Sequence, residues 1–143
     1  PEPRRGLTIA YMPESRLVLI TPPDHRFAGR KSIKAHDLEG EDFVHFERDV
    51  PTRKAVDRIL KDNGVEVKKV AEFDNIETIK RAIEVGFGVA ILPEPSVREA
   101  GRAGLLSVVP LAEAYWIRTV GVIYRSDRQL SLAAKKFVAL LSA

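Results

Sequence analysis

Apolar residues recur along the chain in two periods, alternating and three-to-four, and the two periods take turns. That order predicts an α/β layered domain in which strands and amphipathic helices share a core. Residues 1–6 read as irregular lead-in. Leu7 to Tyr11 and Arg16 to Thr21 read as strands. The second, Arg-Leu-Val-Leu-Ile-Thr, is so continuously apolar that both of its faces are expected to be covered. Pro22-Pro23-Asp24 ends it, because neither proline can donate a ladder hydrogen bond. His25 to Asp42 reads as loop with one helical turn around Lys34 to Leu38, and Phe43 to Phe46 as a short strand.

Pro51 to Asn63 has the pattern of a helix. Proline is suited to the first turn, Val56, Ile59 and Leu60 make an apolar stripe, Asp57 can pair with Lys61, and Gly64 supplies the stop. Val65 to Phe73 alternates as a strand. Asp74 then stands where a helix cap belongs, with Glu77 at the spacing of a capping box. Ile76, Ile79, Ala82 and Ile83 make that helix's buried face, and Gly86 ends it. Phe87 to Leu92 reads as a buried strand closed by Pro93. Strand, helix and strand with short joins predict parallel pairing of the two strands through a right-handed crossover. Pro95 to Gly101 reads as a short helix, Leu105 to Pro110 and Trp116 to Tyr124 as strands, and Leu132 to Leu141 as a last helix capped by Ser131. There is no internal repeat or low-complexity tract.

Composition narrows the classes. The 143 residues suffice for one domain with a hydrophobic core. A start at Pro1 rather than Met leads us to expect a piece of a longer polypeptide. With no cysteine there is no disulfide framework, thiolate metal site or thiol nucleophile, which suits a reducing compartment. No apolar run approaches the roughly 18 residues of a membrane span, and a cytoplasmic location is expected. The formal charge of +3 arises from 23 basic and 20 acidic residues. The basic pairs Arg4-Arg5, Arg30-Lys31, Lys68-Lys69 and Lys135-Lys136 are dispersed among acids and apolar positions, so they read as solvated surface rather than a nucleic-acid face.

Catalytic patterns are missing. His25, His36 and His45 fall in a turn, a loop and a strand end, without metal-ligand spacing, and read as exposed or capping histidines. There is no nucleophile elbow, phosphate loop or dinucleotide fingerprint; Gly86-Phe87-Gly88 leaves a helix for a strand, the reverse polarity. No metal or cofactor is expected, and enzyme activity has no support. What remains are two helix starts that follow strands, one at Val50-Pro51-Thr52-Arg53 and one at Asp74-Asn75-Ile76. At the carboxyl ends of parallel strands such starts line a ligand crevice, and their free N–H groups favour an anion. Thr52 and Arg53 would add donors suited to a carboxylate. The alternative is that Thr52 merely caps its helix and Arg53 points to solvent.

These segments, in this order, resemble the C-terminal effector-binding domain of LysR-type transcriptional regulators. Arg16-Leu-Val-Leu-Ile-Thr-Pro-Pro-Asp-His25 with Phe27-Ala28-Gly29-Arg30, then Ile33 to Phe46, then Glu47 to Arg53, are similar to successive stretches of that family. Asp74-Asn75-Ile76-Glu77 through Gly86-Phe87-Gly88-Val89-Ala90-Ile91-Leu92-Pro93 resembles its most recognisable run. Gly104-Leu105, Pro110-Leu111, Val122-Ile123-Tyr124-Arg125, and Leu130-Ser131 with Phe137 complete the match. No one motif is specific; their order and spacing are. Two departures stand out. Val50-Pro51 replaces a loop usually rich in small residues, and the resemblance begins in the middle of the family's domain, without its winged helix-turn-helix or the first part of subdomain I.

The resemblance implies an α/β fold of the type 2 periplasmic-binding-protein class, mostly subdomain II plus the C-terminal part of subdomain I. Residues 1–143 would form an effector-domain fragment, with about 16–93 as subdomain II and about 105–143 returning to subdomain I. It implies a small, commonly anionic metabolite in an interlobe cleft, faced by Val50, Pro51, Thr52, Arg53, Asn75 and Ile76, with Leu92 and Pro93 near the hinge. It also implies a homodimer or tetramer, with Val56, Ile59, Leu60, Val67, Val70 and Ala71 as interface candidates. DNA would be bound only through an N-terminal domain. Two other classes stay open: a solute-binding protein of the same architecture, and an enzyme on a related lobe.

Overall fold

The computed structural model describes residues 14–117 and, as backbone, two short strands at 7–10 and 122–125. In chain order the strands are β1 (Leu7–Ala10), β2 (Ser15–Thr21), β3 (Asp42–Phe46), β4 (Lys68–Phe73), β5 (Ala90–Pro93), β6 (Ser107–Pro110), β7 (Trp116–Ile117) and β8 (Val122–Arg125). The helices are α1 (Pro51–Asp62), α2 (Ile76–Glu84) and α3 (Glu94–Arg102), with a 3-10 turn at Ala35–Leu38. Two compact units result, Ser15–Ile117 and Pro1–Glu14 with Arg118–Ala143. In the second, β1 and β8 pair antiparallel. The expected lead-in at 1–6 and the final helix at 132–141 lie outside the described residues.

In the first unit β2 is the central strand. It is antiparallel to β5 on one side and to β6 on the other, and its first residues also pair with β7. A parallel bridge between Phe43 and Val89 joins this sheet to the parallel pair of β3 and β4. The resulting order is β4, β3, β5, β2, β6. Residues of β2 alternate between two cores, as a strand of period two must when both its faces are covered. Leu17 and Leu19 join Phe43, Val56, Ile59 and Leu60 on the α1 face. Val18 and Ile20 join Ile79, Ile83, Val97 and Leu92 on the face of α2 and α3. The expected two-sided burial of this strand is therefore present.

Several expectations need correction. The strands flanking α2 do not pair with each other, because β3 lies between them; the directly paired crossover is β3, α1, β4. The strand expected from Phe87 begins only at Ala90. The Phe87 N–H closes the end of α2 by donating to the Ala82 carbonyl, which leaves its ring exposed. Pairing along Val65 to Phe73 begins at Lys68, since Val65 is buried in the α1 core instead. The capping box does not form: Asn75, not Asp74, is the cap of α2. Beyond α3, β6 and β7 both pair with β2 and belong to the Ser15–Ile117 unit.

Candidate effector site at two helix starts

The parallel pair β3 and β4 runs in register from Asp42 opposite Lys68 to Phe46 opposite Phe73, with a shift after Phe43. Each strand feeds a helix within a few residues of its end, β3 into α1 and β4 into α2. The Glu47 N–H donates to the Phe73 carbonyl at 2.9 Å, tying the two strand exits together. Val50 to Arg53 and Asn75 with Ile76 therefore lie at one edge of the sheet, the edge formed by the carboxyl ends of parallel strands.

At the start of α1, Val50 is the cap residue in extended conformation and makes no side-chain cap; Pro51 follows as the first helical residue. Proline suits that place because its φ is preset and it brings no N–H to leave unpaired. The Arg53 N–H donates to the Val50 carbonyl at 3.0 Å, and the Thr52 N–H has no backbone acceptor among the described residues. Thr52 is thus not the cap, and its side chain is buried.

Arg53 does not point to solvent either. Its guanidinium donates from Nε to both carboxylate oxygens of Asp57, and from Nη1 to the Phe46 carbonyl at 2.7 Å and to Glu72 at 3.0 Å. Lys69 donates to the same Glu72 oxygen at 3.0 Å. Burial would lower the Arg53 pKa, but the bonds to Glu72 and Asp57 outweigh it and raise the value. The hydrogen bonds from Lys69 and Arg53 hold the Glu72 carboxyl below the usual carboxylate range. Two acids and two bases make this cluster close to neutral overall, so the charge of Arg53 is matched inside the protein.

At the start of α2, the Asn75 carboxamide oxygen accepts from the Thr78 N–H and hydroxyl, both at 2.9 Å, and its nitrogen donates to Asp74. Asn75 is exposed, while Ile76 packs against the α2 core.

The residue missed from sequence is His45. The sequence pattern suggests an exposed or capping histidine, yet only 6% of it is exposed. It lies beside the Phe43 ring, with centroids 4.7 Å apart, and its Nδ1 is buried with no hydrogen-bond partner among the described residues. Burial, followed by the positive charge of Arg53, lowers its pKa to about 4, so it is neutral at physiological pH. Its place in an alternating strand beside Phe43 and Phe46 was the available signal: period two puts it on the covered α1 face. His25 does have a capping role, accepting the Phe27 N–H at Nδ1 and meeting Glu41 through Nε2.

The interface candidates differ in exposure. Val56, Ile59 and Leu60 are buried in this unit's own core, and Val67 and Ala71 pack against it. Of these six candidates, Val70 alone is exposed. Among the described residues there is no cluster suited to a metal ion, and no helix is long and apolar enough to cross a membrane.

The model of the LysR substrate binding domain matches residues 1–143. The chain belongs to that family. Among its relatives is a protein of Cyanophora paradoxa named "Probable RuBisCO transcriptional regulator", 30% identical over 139 residues, covering 95% of this chain and 43% of its own length. A protein of the same name in Cyanidioschyzon merolae is 32% identical over 134 residues, covering 92% of this chain and 44% of its own length. The chain therefore spans less than half the length of these curated relatives. Among solved structures, the CcmR regulatory domain of Synechocystis PCC6803, in complex with 2-PG, matches with a TM-score of 0.71 and 27% identity. That match covers 99% of this chain and 68% of the other.

The LysR domain has the α/β, type 2 periplasmic-binding-protein-like architecture that the sequence pattern implied. The family and these relatives are transcriptional regulators rather than enzymes, so this is a regulatory, ligand-sensing domain.

Proposed function

We propose that this LysR domain senses a small anionic metabolite at the edge where α1 and α2 begin, as one wall of an effector cleft. The observation that carries the reading is the register of β3 and β4, which brings both helix starts to one strand-end edge. Such an edge offers backbone N–H donors and the positive ends of two macrodipoles. Thr52 and its amide are the central donors, Val50 and Pro51 shape the rim, and Asn75 and Ile76 face the ligand from the second start. Arg53 contributes by holding the first turn of α1 against β4, since its guanidinium is bonded to Asp57, Glu72 and the Phe46 carbonyl.

In the complete protein, occupancy of this edge controls DNA binding through a separate N-terminal winged helix-turn-helix, in the cytoplasm. Residues 16–93 make the sensing lobe. The protein acts as a homodimer or tetramer, with β4 around Val67, Val70 and Ala71 as a contact edge.

The complex of a relative with 2-PG makes that compound the first probe. Titration of the 143-residue chain, followed by amide resonances, should shift Thr52 and Asn75 to Glu77 saturably. Thr52→Ala should weaken binding about fivefold, the scale of one hydrogen bond near 1 kcal/mol, and Thr52→Ser should restore it. Saturable shifts elsewhere, with Thr52 indifferent, would retire the site. An upstream reading frame encoding a secretion signal in place of a winged helix-turn-helix would favour a solute-binding protein.

A further inference from the structure

A cavity of about 700 Å³ in the Ser15–Ile117 unit lies away from the two helix starts. None of Val50 to Arg53, Asn75 or Ile76 lines it. It lies along β6 and α3, with Arg16 and Val18 of β2 and the turn around Pro23 and Gly29 completing the wall. Its size is that of a metabolite pocket.

The chemistry of the wall is divided. Val18, Leu106 and Val108 give it apolar surface, with Pro110 beside them. Gly101 of α3 sits so close to β6 that a Cβ there would stand 2.8 Å from the Val108 side chain, so α3 has no side chain to fill the space at that point. Three arginines, Arg16, Arg98 and Arg102, share the wall with one acid, Glu94. Glu94 pairs with Arg98 at 3.5 Å, so the wall carries three positive charges against this one acid.

Arg16 is the informative one. Its Nε is buried without a hydrogen-bond partner, and among the described residues the guanidinium makes one long 3.5 Å contact, from Nη2 to the Leu111 carbonyl. Arg16 is half-buried and lines the cavity, so its terminal guanidinium nitrogens can donate to a charged acceptor there. By contrast, the buried Arg53 donates to two carboxylates and a carbonyl of the protein.

We propose that this cavity is a second ligand site, separate from the effector edge, for a small carboxylate with an apolar body. The apolar part lies on Val18, Leu106 and Val108, the carboxylate meets the Arg16 guanidinium, and Arg98 and Arg102 add positive potential at the rim.

The test is a titration of the 143-residue chain with 4-phenylbutyrate and, in parallel, with its neutral amide, following backbone amide resonances. Saturable shifts at Gly101, Leu106, Ser107 and Val108 are expected, with the carboxylate binding about tenfold tighter than the amide. Arg16→Gln should erase that preference. Should this variant fold poorly, the exposed Arg102→Gln serves in its place, with a loss of about twofold to threefold in carboxylate affinity and none in amide affinity. Equal affinity for acid and amide would overturn the proposal by reducing the cavity to an apolar groove. Shifts that track protein concentration together with a doubled sedimentation mass would overturn it in favour of a second copy. Shifts confined to Thr52 and Asn75 to Glu77 would overturn it while leaving the proposed effector edge intact. Shifts at the cavity alone would support it whatever becomes of that edge.

Discussion

The Arg53 guanidinium and the Glu72 carboxylate meet at 3.0 Å across the gap between α1 and β4. The arginine side chain is nearly enclosed, at 10% exposure, whereas Glu72 keeps 30%. The pair fixes the first turn of α1 relative to the neighbouring strand, and with it the position of Thr52.

Arg53→Met keeps the aliphatic stem but removes the donors. Because Glu72 and Asp57 can rehydrate, the loss should be smaller than for a fully buried pair, about 2 kcal/mol. Urea unfolding should show it as a lower midpoint with an unchanged slope. A cycle with Glu72→Gln should return a favourable coupling; strict additivity would mean the contact does not tie helix to strand.

His45 gives the domain an acid sensitivity of predictable sign. Its pKa is lowered from 6.5 to about 4 on folding, chiefly by burial and then by Arg53, against the opposing pull of Asp57 and Glu72. The unfolded chain therefore binds the proton more readily. Stability is fully present above pH 6.5 and is lost as pH falls towards about 4. The slope in that window is at most about 1.4 kcal/mol per pH unit, one proton's worth. His45→Gln should flatten it, as read from unfolding curves at a series of pH values. The lowered pKa of Glu72 acts in the same direction below the ordinary carboxylate range, so some acid loss will remain in the variant.

Gly88 cannot carry a side chain. Its φ is +153°, and a Cβ would lie 2.4 Å from the Asp42 carbonyl oxygen, the acceptor of the Val89 N–H. That oxygen belongs to backbone at the junction joining β3 to the β5 side of the sheet, so it cannot swing aside. Gly88→Ala should cost about 2–4 kcal/mol, measured by thermal unfolding. Gly104→Ala, with φ of +74° but nothing within 4 Å, should cost less.

Val70 tests the proposed contact edge. It is 40% exposed on β4, which pairs only with β3 among the described residues. A lysine on such an edge opposes strand-to-strand association without touching the core. Val70→Lys should shift sedimentation towards the monomer and leave the melting temperature unchanged. An unaltered mass distribution would place association elsewhere.

Much of the fold was legible in the residues because the relevant forces are local. Pro51 and Gly64 bracket α1, and the unbroken apolar run from Leu17 to Ile20 announces a strand covered on both faces. The order of these segments was enough to indicate the LysR family. Local pattern also placed Thr52 and Asn75 at helix starts. It misassigned the cap of α2, since Asp74 and Asn75 are both good cap residues and the choice rests on the bonds from Thr78 to the Asn75 carboxamide.

The tertiary structure decided what depends on contacts between distant segments. Sequence periodicity says that α2 joins two strands; it does not say that β3 lies between them, because pairing is settled by bonds such as Val89 to Asp42. The charge on Arg53 reads as available to a ligand until Glu72, nineteen residues on, is found beside it. His45 reads as a surface histidine until α1 covers it. The cavity along β6 joins residues as far apart as Arg16 and Pro110, a grouping that no local spacing encodes.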